Sequence, residues 1–174
     1  MVSQGATTIW EAWGGVQEGF IGYNSGEDSM PMFATISEYF YSDIAGLRGP
    51  DYFGTRATAP GFREITIRPR LQEGLTNASA TIRTVRGLAT VAWARGENTV
   101  ELKAVIPANA TATISVPTDG LREVRVEESG RVVWEREGFL DGTPGIERAA
   151  SEEAYVTFNV GSGVYVFLLK GALY

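Results

Sequence analysis

From about Phe62 onward, apolar and polar side chains alternate with a period of two. Ile65 and Ile67 alternate with Thr66 and Arg68, and Val91 and Trp93 with Thr90 and Ala92. Val100, Leu102, Ala104 and Ile106 are interleaved with Glu101, Lys103 and Val105. The alternation returns in Ala112, Ile114 and Val116, in Val124 and Val126, and in Val156, Phe158 and Val160. A period of two puts every second side chain on one face, so these segments predict half-buried strands. Turn residues separate them: Arg86-Gly87, Gly96-Glu97-Asn98, Pro107-Ala108-Asn109, Ser129-Gly130 and Gly161-Ser162-Gly163. About eight short antiparallel strands read as a β-sandwich spanning 62–174. The pair Tyr155–Val160 and Val164–Leu169 reads as a hairpin across Gly161-Ser162-Gly163. Val164–Leu169 is apolar on both faces, which predicts a central strand or one with a face against a neighbouring element. Gly138–Glu152 interrupts the series and reads as a surface loop.

The front of the chain has a different period. Phe33, Ile36, Phe40, Ile44 and Leu47 recur at helical spacing, with Glu38 and Ser42 on the other side. This predicts one amphipathic helix over about 32–47. Pro31 suits its first turn, Ser29 or Asp28 could cap it, and Gly46 and then Gly49-Pro50 end it. A lone helix with an apolar stripe must pack on something. The expected organisation is therefore a helical segment over 1–48, a Gly- and Pro-containing linker over 49–61, and the sandwich. The fold class is mainly β, an antiparallel sandwich of about eight strands preceded by an α-helical segment.

Composition removes whole classes of chemistry. The 174 residues include no cysteine and no histidine, which excludes disulfides, thiolate nucleophiles, the usual zinc ligands and Ser-His relays. A net charge of -6, with no cluster of basic residues, argues against a nucleic-acid partner. Arginine outnumbers lysine 13 to 2, and neither Lys103 nor Lys170 sits in a Ser-x-x-Lys setting. The glycine-rich pieces lack the Gly-Lys-Thr ending of a phosphate loop. Glu27-Asp28, or Asp141 with Glu147, could offer oxygens to calcium, but without ligand-like alternation they read as solvated charge. No cofactor or metal is expected. No apolar run reaches about 18 residues and no signal peptide is visible, so no membrane partner is expected; the compartment is open, with cytoplasm favoured.

The chemistry that remains is concentrated at the front, in Gly5-Ala6-Thr7-Thr8-Ile9-Trp10-Glu11-Ala12-Trp13. An apolar wall raises a carboxyl pKa, and an indole face is a surface on which sugar rings stack, so Glu11 between Trp10 and Trp13 suits a saccharide site. The spacing equally suits a helical turn with both indoles in a core and Glu11 in water. Trp93, Trp134 and Tyr155 are the candidate platforms if the sandwich itself holds a carbohydrate, although Trp93 and Trp134 continue apolar runs as core residues do.

The opening motif, Ala45-Gly46-Leu47, Pro60-Gly61-Phe62, Ile67-Arg68-Pro69, Leu75-Thr76-Asn77-Ala78, Val91-Ala92-Trp93, the stretch Ile106 to Thr113 and the final Val160-Gly161-Ser162-Gly163 to Tyr165 occur as an ordered series. This series resembles the carboxy-terminal end of α-L-rhamnosidases of glycoside hydrolase family 78. The resemblance covers nearly the whole chain and implies the end of an (α/α)6 catalytic barrel over 1–48, followed by a β-sandwich. It implies inverting hydrolysis of terminal α-L-rhamnose, with Glu11 as the general base and Trp10 and Trp13 beside the rhamnose pocket. Inversion needs a general acid roughly 6.5–9.5 Å from the base. The family places that acid far upstream, outside this sequence, and the nearby Glu18, Glu27 and Asp28 read as loop charges. Where the family carries a histidine-containing element before the last helix, this chain has Ser29-Met30-Pro31-Met32-Phe33. The expectation is a catalytically incomplete portion of a rhamnosidase, a structural or accessory module whose ligand class is a rhamnose-containing saccharide. Residues 1–48 are expected to contact the rest of a barrel or to drive homo-oligomerisation. The competing readings are a carbohydrate-binding or oligomerising sandwich and an autonomous small hydrolase with a different site.

Overall fold

The computed structural model describes residues 35–49, 60–136, 138–152 and 154–172. The chain divides into two compact units, Met1–Tyr39 and Phe40–Tyr174. Of the first, the described part is one helical turn, α1 (Ile36–Tyr39), on which Ile36 is exposed. The second opens with a π-helical turn, Phe40–Ile44, closed by an Ala45 N–H to Phe40 C=O bond of 2.9 Å.

Twelve strands follow among the described residues: β1 (Leu47–Arg48), β2 (Glu64–Ile67), β3 (Asn77–Thr84), β4 (Gly87–Arg95), β5 (Thr99–Ile106), β6 (Thr111–Pro117), β7 (Arg122–Glu128), β8 (Arg131–Glu135), β9 (Gly138–Phe139), β10 (Ile146–Glu152), β11 (Tyr155–Val160) and β12 (Gly163–Ala172). They form a five-stranded sheet in the order β1-β2-β6-β11-β10 and a seven-stranded sheet in the order β3-β4-β5-β12-β7-β8-β9. The sandwich is as expected, with more strands than the period-two pattern predicts. β3 escapes the pattern because its inward positions are mostly small, Ala78 and Ala80 before Ile82. β9 and β10 lie inside the stretch expected to be a loop; β10 is exposed at nearly every position, so it carries no apolar alternation to read. One pairing departs from the antiparallel rule, β2 running parallel to β6 with Ile65 opposite Ala112 and Ile67 opposite Ile114.

Two other expectations are corrected. The expected hairpin between β11 and β12 is a crossing between sheets: β11 pairs with β6 and β10, whereas β12 pairs with β5 and β7. The two strands have matching apolar stripes that face each other across the core rather than lying side by side. Phe158 of β11 stacks on Phe167 of β12 at 4.7 Å, both fully buried. The helix expected over about 32–47 is described as helical over 36–44. Leu47, the last residue of its predicted stripe, is instead the first of β1, opposite Ile67 and 2% exposed. Gly46, at a φ of +81°, breaks the helix and turns the chain into the sheet, and the burial gained by Leu47 favours that course over another helical turn.

β12 is central, as its two apolar faces predict. Its inward side chains, Tyr165, Phe167 and Leu169, are buried, while Val164 on the outer face is 69% exposed. Tyr165 ties two loops together, its one hydroxyl proton shared between the carbonyls of Gly145 and Gly161, each at 3.1 Å. Burial pushes its pKa above the usual 10.0, and the nearby charges of Glu128 and Glu147 push it the same way. In the unfolded chain Tyr165 loses its proton near pH 10, whereas in the fold it still holds it. The folded form therefore binds more protons above that pH, and stability is full below about pH 10 and falls as pH rises further. Thermal melts of the wild type and Tyr165→Phe between pH 8 and 11 are expected to show a steeper alkaline decline for the wild type; parallel curves would remove Tyr165 as the cause.

Candidate functional site

Glu11, Trp10 and Trp13 lie outside the described residues, as do Glu18, Glu27, Asp28 and the segment Ser29–Phe33. The remaining sequence-derived candidates can be placed. Trp93 and Trp134 are 2% and 4% exposed, so neither presents an indole face to a sugar. Tyr155 is half-buried, donates its hydroxyl to the Pro69 carbonyl at 3.1 Å, and has the Arg68 guanidinium 3.9 Å from its ring centroid. Lys103 and Lys170 stand on β5 and β12, paired with Glu101 at 2.8 Å and Glu127 at 3.3 Å. Asp141 accepts a bond from the next backbone N–H, that of Gly142, at 2.6 Å. Among the described residues no three His, Cys, Asp or Glu side chains come together as a metal site would require.

Polar side chains instead converge where the π-helical turn meets the sandwich. The Asp43 carboxylate accepts from Arg48 at 2.8 Å and faces the Arg70 guanidinium at 3.4 Å. The Asp43 carbonyl takes the Arg70 N–H at 2.8 Å, and the Gly46 carbonyl takes the Arg68 N–H at 2.8 Å. Arg48 also donates to the Ser42 carbonyl at 2.9 Å. From the other sheet, the Trp93 indole N–H donates to the Ile44 carbonyl at 2.8 Å. Two requirements are met together: the π-turn leaves C-terminal carbonyls without intrahelical partners, and Trp93, buried as an apolar body, needs an acceptor for its N–H. Exposed ion pairs are worth less than about 1 kcal/mol each. The strength of the clasp comes from joining them to the burial of Ala45 and Leu47, so residues 40–48 are held by both sheets.

Two concave surfaces also lie among the described residues. An open cleft of about 1160 Å³ lies along β7 and β8, where Arg122, Arg125 and Arg136 alternate with Glu123 and Glu135 above Trp134. Its charges nearly cancel, and Arg125 already faces Glu127 at 3.4 Å and Glu135 at 3.6 Å. A smaller hollow of about 280 Å³ on the five-stranded sheet is walled by Thr66, Thr111, Thr113 and Asn159 between Glu64 and Glu147. Both are hydrogen-bonding surfaces without a positioned nucleophile.

Residues 54–131 match the bacterial alpha-L-rhamnosidase C-terminal domain. An alpha-L-rhamnosidase of Formosa agariphila is 29% identical over 174 residues, which is 99% of this chain and 17% of that protein. The alpha-L-rhamnosidase structure from Dictyoglumus thermophilum superposes with a TM-score of 0.74 at 28% identity, over 98% of this chain and 17% of that one. The chain is similar to the carboxy-terminal part of α-L-rhamnosidases. A third comparison, with the Streptomyces avermitilis alpha-L-rhamnosidase solved with L-rhamnose, covers 96% of this chain and 14% of that one at a TM-score of 0.66. At 24% identity it shows the common fold. The chain thus spans about a sixth of the length of the relatives it matches. Its clasp residues, Asp43, Arg48, Arg70 and Trp93, were not legible as a site, because the partners lie up to about fifty positions apart and share no periodicity. The one local signal was Gly46, a glycine directly before the last residue of the helical stripe.

Proposed function

We propose that this chain is the end of an inverting α-L-rhamnosidase, in which residues 1–48 close the (α/α)6 catalytic barrel, 49–61 form a linker and 62–174 brace the barrel's end. The observation that carries this reading is the clasp. A sandwich serving only as a separate module would need no bonds from both of its sheets to the preceding helix, whereas a brace does. Here Trp93 and Arg70, on different parts of the sandwich, hold Ile44 and Asp43. On this reading Glu11 is the general base that activates water, with Trp10 and Trp13 lining the rhamnose pocket, and the saccharide is of the class seen bound in the Streptomyces relative. The general acid lies in the part of the relatives' length that this chain does not span, and Met30-Pro31-Met32 stands where the family's histidine-containing element would be. The chain by itself is then catalytically incomplete. Its apolar positions Ile36, Phe40 and Tyr41, 53%, 55% and 43% exposed, pack against the rest of the barrel or, in the isolated chain, promote self-association.

The test is release of rhamnose from an aryl α-L-rhamnoside. The 174-residue chain is expected to give none, and a product extended upstream with barrel helices is expected to turn over. In that longer product Glu11→Gln should lower kcat by about 10²–10⁴, the range for a lost general base. Turnover by the short chain that Glu11→Gln abolishes would overturn the claim of incompleteness. Turnover that survives the substitution would remove Glu11 from the mechanism.

A further inference from the structure

A sheet edge exposes unpaired backbone donors and acceptors, and folds usually shorten, charge or cover such edges. Among the described residues, three of the four edges follow that rule. β1 and β9 are two residues long, and β10 carries Glu147, Arg148 and Glu152. β3 does not follow it. It is eight residues long, ends the seven-stranded sheet, contains no proline and has Arg83 as its one charge.

The pairing phase of β3 identifies which of its groups are free. Thr76 accepts from the Arg95 N–H at 2.9 Å, just beyond the ladder in which Asn77 faces Ala94 and Thr84 faces Gly87. Hydrogen-bonded pairs alternate along an antiparallel ladder, so Ala78, Ala80, Ile82 and Thr84 bond to β4. Asn77, Ser79, Thr81 and Arg83 therefore turn their N–H and C=O groups outward, and their side chains are exposed.

We propose that β3 pairs antiparallel with β3 of a second copy of this chain, about a two-fold axis through Thr81, joining the two seven-stranded sheets into one. The sequence is compatible with itself in that register. Thr81 meets its own symmetry mate, a favourable cross-strand pair, and Ser79 meets Arg83, so no like charges are opposed. Asn77 falls opposite Val85. The same arrangement sets Leu75, exposed before β3, toward the Val85–Leu88 end of the partner strand. Val85 and Leu88 are themselves 88% and 48% exposed, so an apolar contact closes each end of a hydroxyl-lined centre.

Light scattering and amide exchange on the full chain test it. With association through the helical stripe removed by Ile36→Ser and Phe40→Ser, the chain is expected to have twice the mass of one 174-residue chain. Amide exchange at Ser79, Thr81 and Arg83 should slow at least about tenfold from dilute to concentrated solution, while the already bonded Ala80 and Ile82 change little. Thr81→Lys places two ammonium groups on the axis and should give a monomer with an unchanged β-sheet spectrum, whereas Thr81→Ser should remain dimeric. Ile36→Ser with Phe40→Ser should not dissociate this dimer, which separates it from association through the helical stripe. A wild-type monomer at all concentrations would overturn the proposal and leave the edge to a strand of another protein. So would a dimer that Thr81→Lys does not dissociate and in which these three amides stay unprotected.

Discussion

Replacing Gly46 by alanine is expected to unseat the clasp and cost the sandwich about 3–5 kcal/mol, a loss reserved for changes that strain the backbone or the core. Two effects add. Gly46 sits at a φ of +81°, where an L-residue costs about 1–2 kcal/mol. Its new Cβ would also fall on the backbone N and Cα of Pro69. Backbone cannot rotate aside as a flexible side chain can, so β1 must separate from the Arg68-Pro69 junction. That breaks the Arg68 N–H to Gly46 C=O bond and withdraws Leu47 and Ala45 from the core. Gly120→Ala is the control: it has a similar φ of +76° with open space around it, so it should lose only the conformational part, about 1 kcal/mol. Melting temperature followed by circular dichroism should fall by roughly 10 °C or more for Gly46→Ala and by a few degrees for Gly120→Ala. Equal small falls would mean that the Pro69 contact relaxes freely and that Gly46 does not hold the clasp.

Phe167→Ala is expected to be comparably damaging, because this ring joins the two sheets. It is fully buried, stacks on Phe158 of the opposite sheet at 4.7 Å, and lies nearly parallel to Tyr165 at 6.1 Å. Deleting a buried phenyl group loses its transfer free energy and leaves a cavity that the flanking strands cannot fill, for a total of about 3–5 kcal/mol. Phe167→Leu keeps most of the volume and should cost less than about 1.5 kcal/mol. Urea unfolding of Phe167→Ala, Phe158→Ala and the double variant should show sub-additive losses, since either truncation removes the same stacked pair. Strict additivity would mean that the two rings pack independently.

The sandwich was readable because half-buried strands write a period of two into the chain; β5 and β11 do so over their whole lengths, and β4 and β6 over part of theirs. β3 was not, because alanines on its inward face carry little hydrophobic contrast, and neither was β10, which buries almost nothing. The short link Gly161-Ser162-Gly163 suits a hairpin and a sheet crossing equally well. Periodicity tells which face of a strand is apolar but not which neighbour it pairs with, and here the stacking of Phe158 on Phe167 goes with the crossing. The candidate site divides in the same way. The Trp-Glu-Ala-Trp opening and its likeness to rhamnosidases were legible residue by residue, whereas the clasp joins Asp43 to Arg70 and Ile44 to Trp93 over distances no local pattern spans.

The sequence by itself determined that this chain has no histidine or cysteine chemistry, that it builds a mainly β sandwich after a helical segment, and that it is similar to the end of an α-L-rhamnosidase. These follow from composition and from local order along the chain. The tertiary structure alone decided that Leu47 leaves the helix for the sheet, that Trp93 and Trp134 are core rather than sugar platforms, and that β3 presents an open edge. The physical reason is common to all three. Each depends on which surfaces are covered by residues distant in sequence, and burial is a property of the packed molecule rather than of any segment.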